Sequence, residues 1–214
     1  MSTTAHAAPH AHRDPVGSRI GMWLFLLTEM LLFAGCFLAY AVFRTRYSDD
    51  FHFAAQELNL SLGLLNTLVL LTSSLTMVLG IAAMERGRAR AAAAWTGATI
   101  AMGAAFLAIK GFEWAAKFRH GIYPNSPELA SAHTMGEQVF YGLYFTLTGL
   151  HALHVIAGMA LLGIMGAFIL RALGRGGAGG GEGVLAGRLE NAGLYWHLVD
   201  VIWIFLFPLF YLIS

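Results

Sequence analysis

Charged side chains are spaced so widely along this chain that the gaps between them outline its architecture. Between Glu57 and Glu85 stand 27 residues without Asp, Glu, Lys or Arg, between Arg90 and Lys110 stand 19, and between Glu137 and Arg171 stand 33. A bilayer core of about 30 Å is crossed by about 20 helical residues at about 1.5 Å each. The pattern therefore predicts five membrane-spanning helices, at about 20–43, 61–84, 93–116, 138–170 and 192–213. The fourth is longer than the bilayer needs, so it must tilt or protrude. None has the alternating pattern of an outer-membrane barrel strand. The fold expected is all-α: a polytopic membrane protein, a bundle of five transmembrane helices.

The segments outside the spans add little chemistry. Residues 1–19 read as a mobile polar tail with His6, His10 and His12, and residues 20–214 as the membrane domain. Segment 174–187 is a Gly-rich linker by composition; it follows a helix and lacks a Lys-Ser/Thr ending, so it is not a phosphate loop. Phe33-Ala34-Gly35-Cys36 looks like a lipoprotein cleavage site, yet seven apolar residues follow the Cys, which argues for an uncleaved span. Positive charges set the orientation. Eight (Arg13, Arg19, Arg86, Arg88, Arg90, Arg171, Arg175, Arg188) fall on one side and four (Arg44, Arg46, Lys117, Arg119) on the other. The N-terminus is expected in the cytoplasm and the C-terminus in the periplasm. Trp23, Trp95, Tyr195 and Trp196 would anchor the inner interface, and Tyr40, Trp114 and Tyr211 the outer one.

Composition excludes several function classes. Of 214 residues, 57% are apolar and only 12% charged, about half the usual quarter for a soluble domain; a soluble globular enzyme is ruled out. A net charge of +1 without a basic block leaves no footprint for nucleic acid. The single Cys36 excludes a disulfide framework and any CxxC site.

Ionisable groups inside the spans are the informative ones, since each costs about 2.5–3.5 kcal/mol on the insertion scale. Glu29 lies mid-span in the first helix with no basic neighbour within a turn. It is either a neutral acid or the partner of a group on another helix, and His151, His154 and His197 are candidates. The polar stripe of the second span could face it. Lys110 and Glu113, three apart, can neutralise each other on one helix face. His151 and His154 share the fourth span, and His197 and Asp200 the fifth, each pair at the same spacing. Three membrane histidines are too few for a haem–copper centre, so no metal site and no catalytic centre is expected in this chain. Asn66, Thr67, Ser73 and Ser74 form a polar stripe, and Gly97, Ala101 and Ala105 a small-residue face suited to close helix approach. A subunit of a larger complex and a small transporter stay level on these grounds.

The blocks holding these groups resemble subunit III of haem–copper terminal oxidases. Gly21 to Phe33, reading GMWLFLLTEMLLF, is similar to that family's first block, with its membrane acid at Glu29. Leu64 to Ser74 (LLNTLVLLTSS) is similar to the second, and Lys110-Gly111-Phe112-Glu113-Trp114 to a Glu-aromatic block that usually reads Glu-Tyr. Thr148 to Val155 (TGLHALHV) and Tyr195 to Trp203 (YWHLVDVIW) match most strongly, and the five blocks stand in the family's order. The resemblance implies a non-redox subunit of a bacterial inner-membrane oxidase reducing oxygen to water. Haem and copper would sit in partner subunits. This chain would pack on the catalytic subunit I, with subunit II and small subunits nearby, hold structural phospholipid, and support proton uptake and turnover stability. Glu29, Glu113, His151, His154, His197 and Asp200 would form the proton-related or buried polar network, and Arg171 would bind lipid. Larger members have two further helices at the start, absent here as in quinol oxidase forms. Glu29 favours the cytochrome c oxidase branch. The alternatives are a quinol oxidase subunit, a nitric oxide reductase-associated accessory protein and, from another class, a stand-alone proton-coupled transporter.

Overall fold

The computed structural model describes residues 15–174 and 182–213; most of the N-terminal tail, its three histidines and the middle of the Gly-rich segment lie outside the described residues. Seven helices follow one another: α1 Pro15–Arg46, α2 Ser48–Gln56, α3 Leu60–Glu85, α4 Ala89–Arg119, α5 Pro127–Ala132, α6 Met135–Gly174 and α7 Glu182–Tyr211. Among the described residues all regular structure is helical. Five helices, α1, α3, α4, α6 and α7, are long and apolar enough to cross a membrane. Two short ones, α2 and α5, join them at one end of the bundle. Helix α7 already begins at Glu182, so residues 182–187 of the segment expected to be a linker are helical.

Local chemistry explains where the helices start and stop. The Asn59 side chain accepts the Leu62 N–H at 3.1 Å and caps α3. Thr134 and Glu137 exchange backbone-to-side-chain bonds of 3.0 and 3.3 Å, a reciprocal capping box at the head of α6. Between α3 and α4 the chain turns at Gly87, whose φ of 70° suits a residue without Cβ. The Arg88 N–H then closes onto the Ala83 carbonyl at 2.9 Å.

The core is a four-helix arrangement of α3, α4, α6 and α7, with α3 and α4 forming a tight hairpin. Half of the most apolar window of α7 is buried, against 11% of that of α1. Helix α7 is thus the central post and α1 a peripheral helix. Helix α1 packs on α6, α7 and α2 and does not touch α3. Close approach runs through glycines: a Cβ on Gly103 would lie 2.7 Å from the Trp196 ring, and one on Gly158 would lie 2.9 Å from it. The Gly97–Ala101–Ala105 face expected to pack is instead exposed, and nothing lies within 4 Å of a Cβ at Gly97. The buried face of α4 runs through Ala92, Thr96, Thr99, Gly103 and Phe106, a different stripe. Four of the expected interface aromatics are likewise core residues: Tyr40, Tyr195, Trp196 and Tyr211 are all buried. Their polar tips find partners inside, as Trp196 does by donating to Ser73 Oγ at 3.0 Å.

Candidate functional site: polar centres in the membrane core

Glu29 on α1 meets one of its three candidate partners, His154 of α6. Their Oε2 and Nε2 stand 2.7 Å apart. The other ring nitrogen, Nδ1, lies 2.7 Å from the Leu150 carbonyl. A carbonyl can only accept, so Nδ1 carries a hydrogen, and a single further proton is shared between Nε2 and the Glu29 carboxyl. The pair is therefore either neutral acid with neutral imidazole or carboxylate with imidazolium, with net charge zero both ways. Phe33 presents its edge to the imidazole at 5.2 Å between centroids. The side chains of Glu29 and His154 keep 17% and 12% exposure, so the pair sits at the open seam between α1 and α6. The α3 stripe does not take part, because it faces α7.

Lys110 and Glu113 form the second centre, and the structure makes it larger than a self-contained pair. The Lys110 ammonium donates to Glu113 Oε2 at 3.1 Å, to the Tyr144 hydroxyl at 2.9 Å and to the Tyr211 hydroxyl at 2.7 Å. All three of its donors are used. Tyr211 in turn donates to Glu113 Oε1 at 2.6 Å. Both charges belong to α4; it is the tyrosines that carry the network onto α6 and α7. Rings of Tyr144, Tyr211 and Trp203 stand 4.6, 5.2 and 5.3 Å from the ammonium and form an aromatic cage, which the ammonium meets at the hydroxyl edges of the two tyrosines.

One turn nearer the α2/α5 end, a third cluster repeats the same residue types at the surface. Lys117 donates to the Glu57 carbonyl at 3.1 Å and approaches its carboxylate at 3.4 Å, and Tyr141 donates to that carboxylate. Burial alone would raise the Glu57 carboxyl, but the Tyr141 hydroxyl and the Lys117 ammonium outweigh it and hold it below the usual carboxylate range. Sequence reasoning missed this cluster because Glu57 lies between spans. The available signal was spacing: Tyr141 and Tyr144 on α6, three apart, face Lys117 and Glu113 on α4, four apart.

The remaining polar residues divide into satisfied and unsatisfied. Ser74 pairs with His197 Nδ1 at 2.7 Å, Thr67 accepts from the Trp203 indole at 3.0 Å, and Thr76 bonds Thr99 at 2.8 Å. The α3 stripe thus binds α7, while Thr76 beside it binds α4. His151, Asp200 and Asn66 are buried, and none of their side-chain N or O atoms has a hydrogen-bond partner among the described residues. His151 lies between the rings of Phe106 and Trp203, with centroids 5.4 and 5.3 Å away. Leaving such groups dry costs about 1–3 kcal/mol each. Arg171 is exposed in the last turn of α6. Among the described residues no group of three or more His, Cys, Asp or Glu side chains could hold a metal ion. The three membrane histidines face different neighbours, which is a poor donor set for haem or copper.

Comparison with known proteins matches this arrangement to a family. Residues 2–214 match the family model described as cytochrome c oxidase subunit III. The chain is 33% identical to cytochrome c oxidase subunit 3 of Thermostichus vulcanus over 212 residues, covering 99% of this chain and 94% of the relative. It is 30% identical over 212 residues to cytochrome bo(3) ubiquinol oxidase subunit 3 of Pseudomonas aeruginosa, covering 98% and 91%. Identity to cytochrome c oxidase subunit 3 of Bacillus sp. PS3 is also 30%, over 214 residues and covering 99% and 94%.

Proposed function

Because the chain belongs to the cytochrome c oxidase subunit III family, we propose that it is the non-redox subunit III of a bacterial respiratory oxidase that takes electrons from cytochrome c and reduces oxygen to water. It sits in the inner membrane beside a catalytic subunit I and a subunit II, which carry haem and copper. The end of the bundle bearing α2 and α5 faces the periplasm and the opposite end faces the cytoplasm, in line with the eight-to-four distribution of positive charge. A stand-alone transporter has no support beside the full-length family match. A ubiquinol-oxidising complex remains the second reading, on the strength of the Pseudomonas aeruginosa relative.

The observation that carries a proton-related role is the Glu29–His154 pair, 2.7 Å apart with one proton between them and partial exposure at the α1/α6 seam. A shared proton can move between oxygen and nitrogen without changing the pair's net charge, and the 2.7 Å contact and partial exposure offset part of the desolvation cost of the charged form. This chain's part is to hold that proton near the membrane mid-plane and to support its supply to subunit I. Glu29→Gln keeps a hydrogen bond to His154 and removes the acidic proton. The variant oxidase should assemble, reduce oxygen and show slower proton supply at high pH or faster inactivation during turnover. Wild-type turnover at every pH with unchanged inactivation would make the pair a structural tie only. Complete loss of activity in an assembled complex would refute a supporting role.

The proposal extends to lipid at Arg171, whose stem can lie along apolar surface while the guanidinium reaches a phospholipid phosphate. Mass spectrometry of the purified complex should detect less bound anionic lipid in Arg171→Ala; an unchanged amount would leave Arg171 as a simple interfacial anchor.

A further inference from the structure

Among the described residues five side chains hold a buried polar atom without a hydrogen-bond partner; Thr96 and Trp114 leave one each, and Asn66, His151 and Asp200 leave two each. Asn66 of α3 and His151 of α6 have 0% exposure and Asp200 of α7 has 3%. All six of the side-chain N and O atoms of these three are without a hydrogen-bond partner among the described residues. One of them touches the Trp203 ring, and the other two are linked to it through chain neighbours. His151 lies against Trp203 at 5.3 Å. Asn66 neighbours Thr67, which accepts the Trp203 indole N–H, and Asp200 lies three residues before Trp203 on α7, less than one turn away.

The polar groups nearby are already engaged, and only the Ser74 hydroxyl also comes near Asp200. The Lys110 ammonium spends its three donors on Glu113, Tyr144 and Tyr211. Thr67 Oγ1 already donates to the Gly63 carbonyl, and Ser74 is engaged with His197. Burial also limits what could come from outside. A partner helix or a lipid headgroup cannot reach side chains covered by the bundle's own residues. A cation would meet the Lys110 ammonium, which lies 5.3 Å from the same Trp203 ring, and an anion would meet Asp200. The ligand must be small, uncharged, and able both to donate and to accept.

We infer that the core between α3, α4, α6 and α7 holds a small cluster of structural water around Trp203, hydrogen-bonded by Asn66, His151 and Asp200. Water is the one ligand class that fits size, charge and the mixed set of an amide, an imidazole and a carboxyl group. This site is separate from the Glu29–His154 seam and does not depend on the oxidase reading.

Hydroxyl-radical footprinting of the purified complex tests it. A brief X-ray pulse splits water where it sits, and oxygen from oxygen-18-enriched water then marks adjacent side chains. Trp203 and Phe106, 1% and 0% exposed, should be marked although bulk solvent cannot touch them. Phe51 and Phe140, both 0% exposed and stacked edge-to-face in an aromatic cluster, are the dry internal controls. The expected result is labelling of Trp203 and Phe106 clearly above that of those controls. In an assembled complex carrying Asn66→Leu with His151→Phe, the Trp203 label should be lost. Labelling of Trp203 and Phe106 no greater than that of Phe51 and Phe140 overturns the inference, and this comparison in the wild-type protein needs no variant to fold. Full Trp203 labelling in the double variant overturns the assignment of Asn66 and His151 as ligands.

Discussion

Removing the Lys110 ammonium alone should damage this protein more than removing the Lys110–Glu113 pair together. The two charges are 3% and 5% exposed and 3.1 Å apart. Lys110→Met deletes the cation while leaving the Glu113 carboxylate in the core with only the Tyr211 hydroxyl as donor. Breaking a buried pair in this way costs about 3–5 kcal/mol, because an uncompensated charge remains. Adding Glu113→Leu removes that charge. What then remains is two tyrosine hydroxyls that have lost partners, at about 1–3 kcal/mol each if nothing else satisfies them and less if the 3.5 Å Tyr144–Tyr211 contact shortens. Both tyrosines lose the Lys110 donor in either variant, so the double variant adds only the lost Tyr211–Glu113 bond and should recover about 2 kcal/mol relative to Lys110→Met. The assay is denaturant or heat titration of the detergent-purified protein, followed by near-UV signals of the aromatic cage and analysed as a double-mutant cycle. Equal losses in the single and double variants, or additive losses from Lys110→Met and Glu113→Leu, would refute the claim that these charges depend on each other.

Two further outcomes follow from packing and from pH. Gly103→Ala should destabilise by about 1–3 kcal/mol through overpacking against Trp196, while Gly97→Ala, which meets nothing within 4 Å, should leave thermal stability unchanged or slightly raised; equal effects at both sites would contradict the packing described. Glu57 has a folded-state pKa below its unfolded value, so its contribution is present above the ordinary carboxylate range and is lost as pH falls through the lowered folded value. Hydrogen exchange of the α2–α3 junction, corrected for intrinsic rates, should therefore quicken on acidification in the wild type and lose that dependence in Glu57→Gln; an identical acid response in both would contradict the Lys117–Tyr141 clamp.

The membrane spans were legible because the bilayer imposes a length and a charge rule on sequence, and gaps such as 138–170 satisfy both. The face each helix buries was not. Gly97, Ala101 and Ala105 look like a packing stripe by spacing, yet Gly103 is the glycine that meets Trp196. Spacing on one helix cannot say which of two small-residue stripes turns inward when both sides are apolar. The Lys110–Glu113 contact was readable because both residues share a helix. Its extension to Tyr144 and Tyr211 was hidden, since those partners lie 34 and 101 residues away. Glu29 stood out as an expensive mid-span acid, but the choice of His154 over His151 and His197 depends on α1 docking against α6. The same docking geometry leaves His151 with aromatic neighbours and no polar partner.

The central claim is that this chain works as a redox-free subunit beside a haem-bearing one. An affinity tag on this chain, followed by gentle detergent purification from aerobically grown cells, puts that claim to a spectrum. The purified material should show haem bands, consume oxygen with reduced cytochrome c, and contain this chain and the haem-bearing subunit in equal amounts. After mild dissociation the haem absorbance and the copper should travel entirely with the partner fraction. Haem or stoichiometric copper remaining on the isolated chain, or a tagged chain that purifies without any haem protein, would contradict the account.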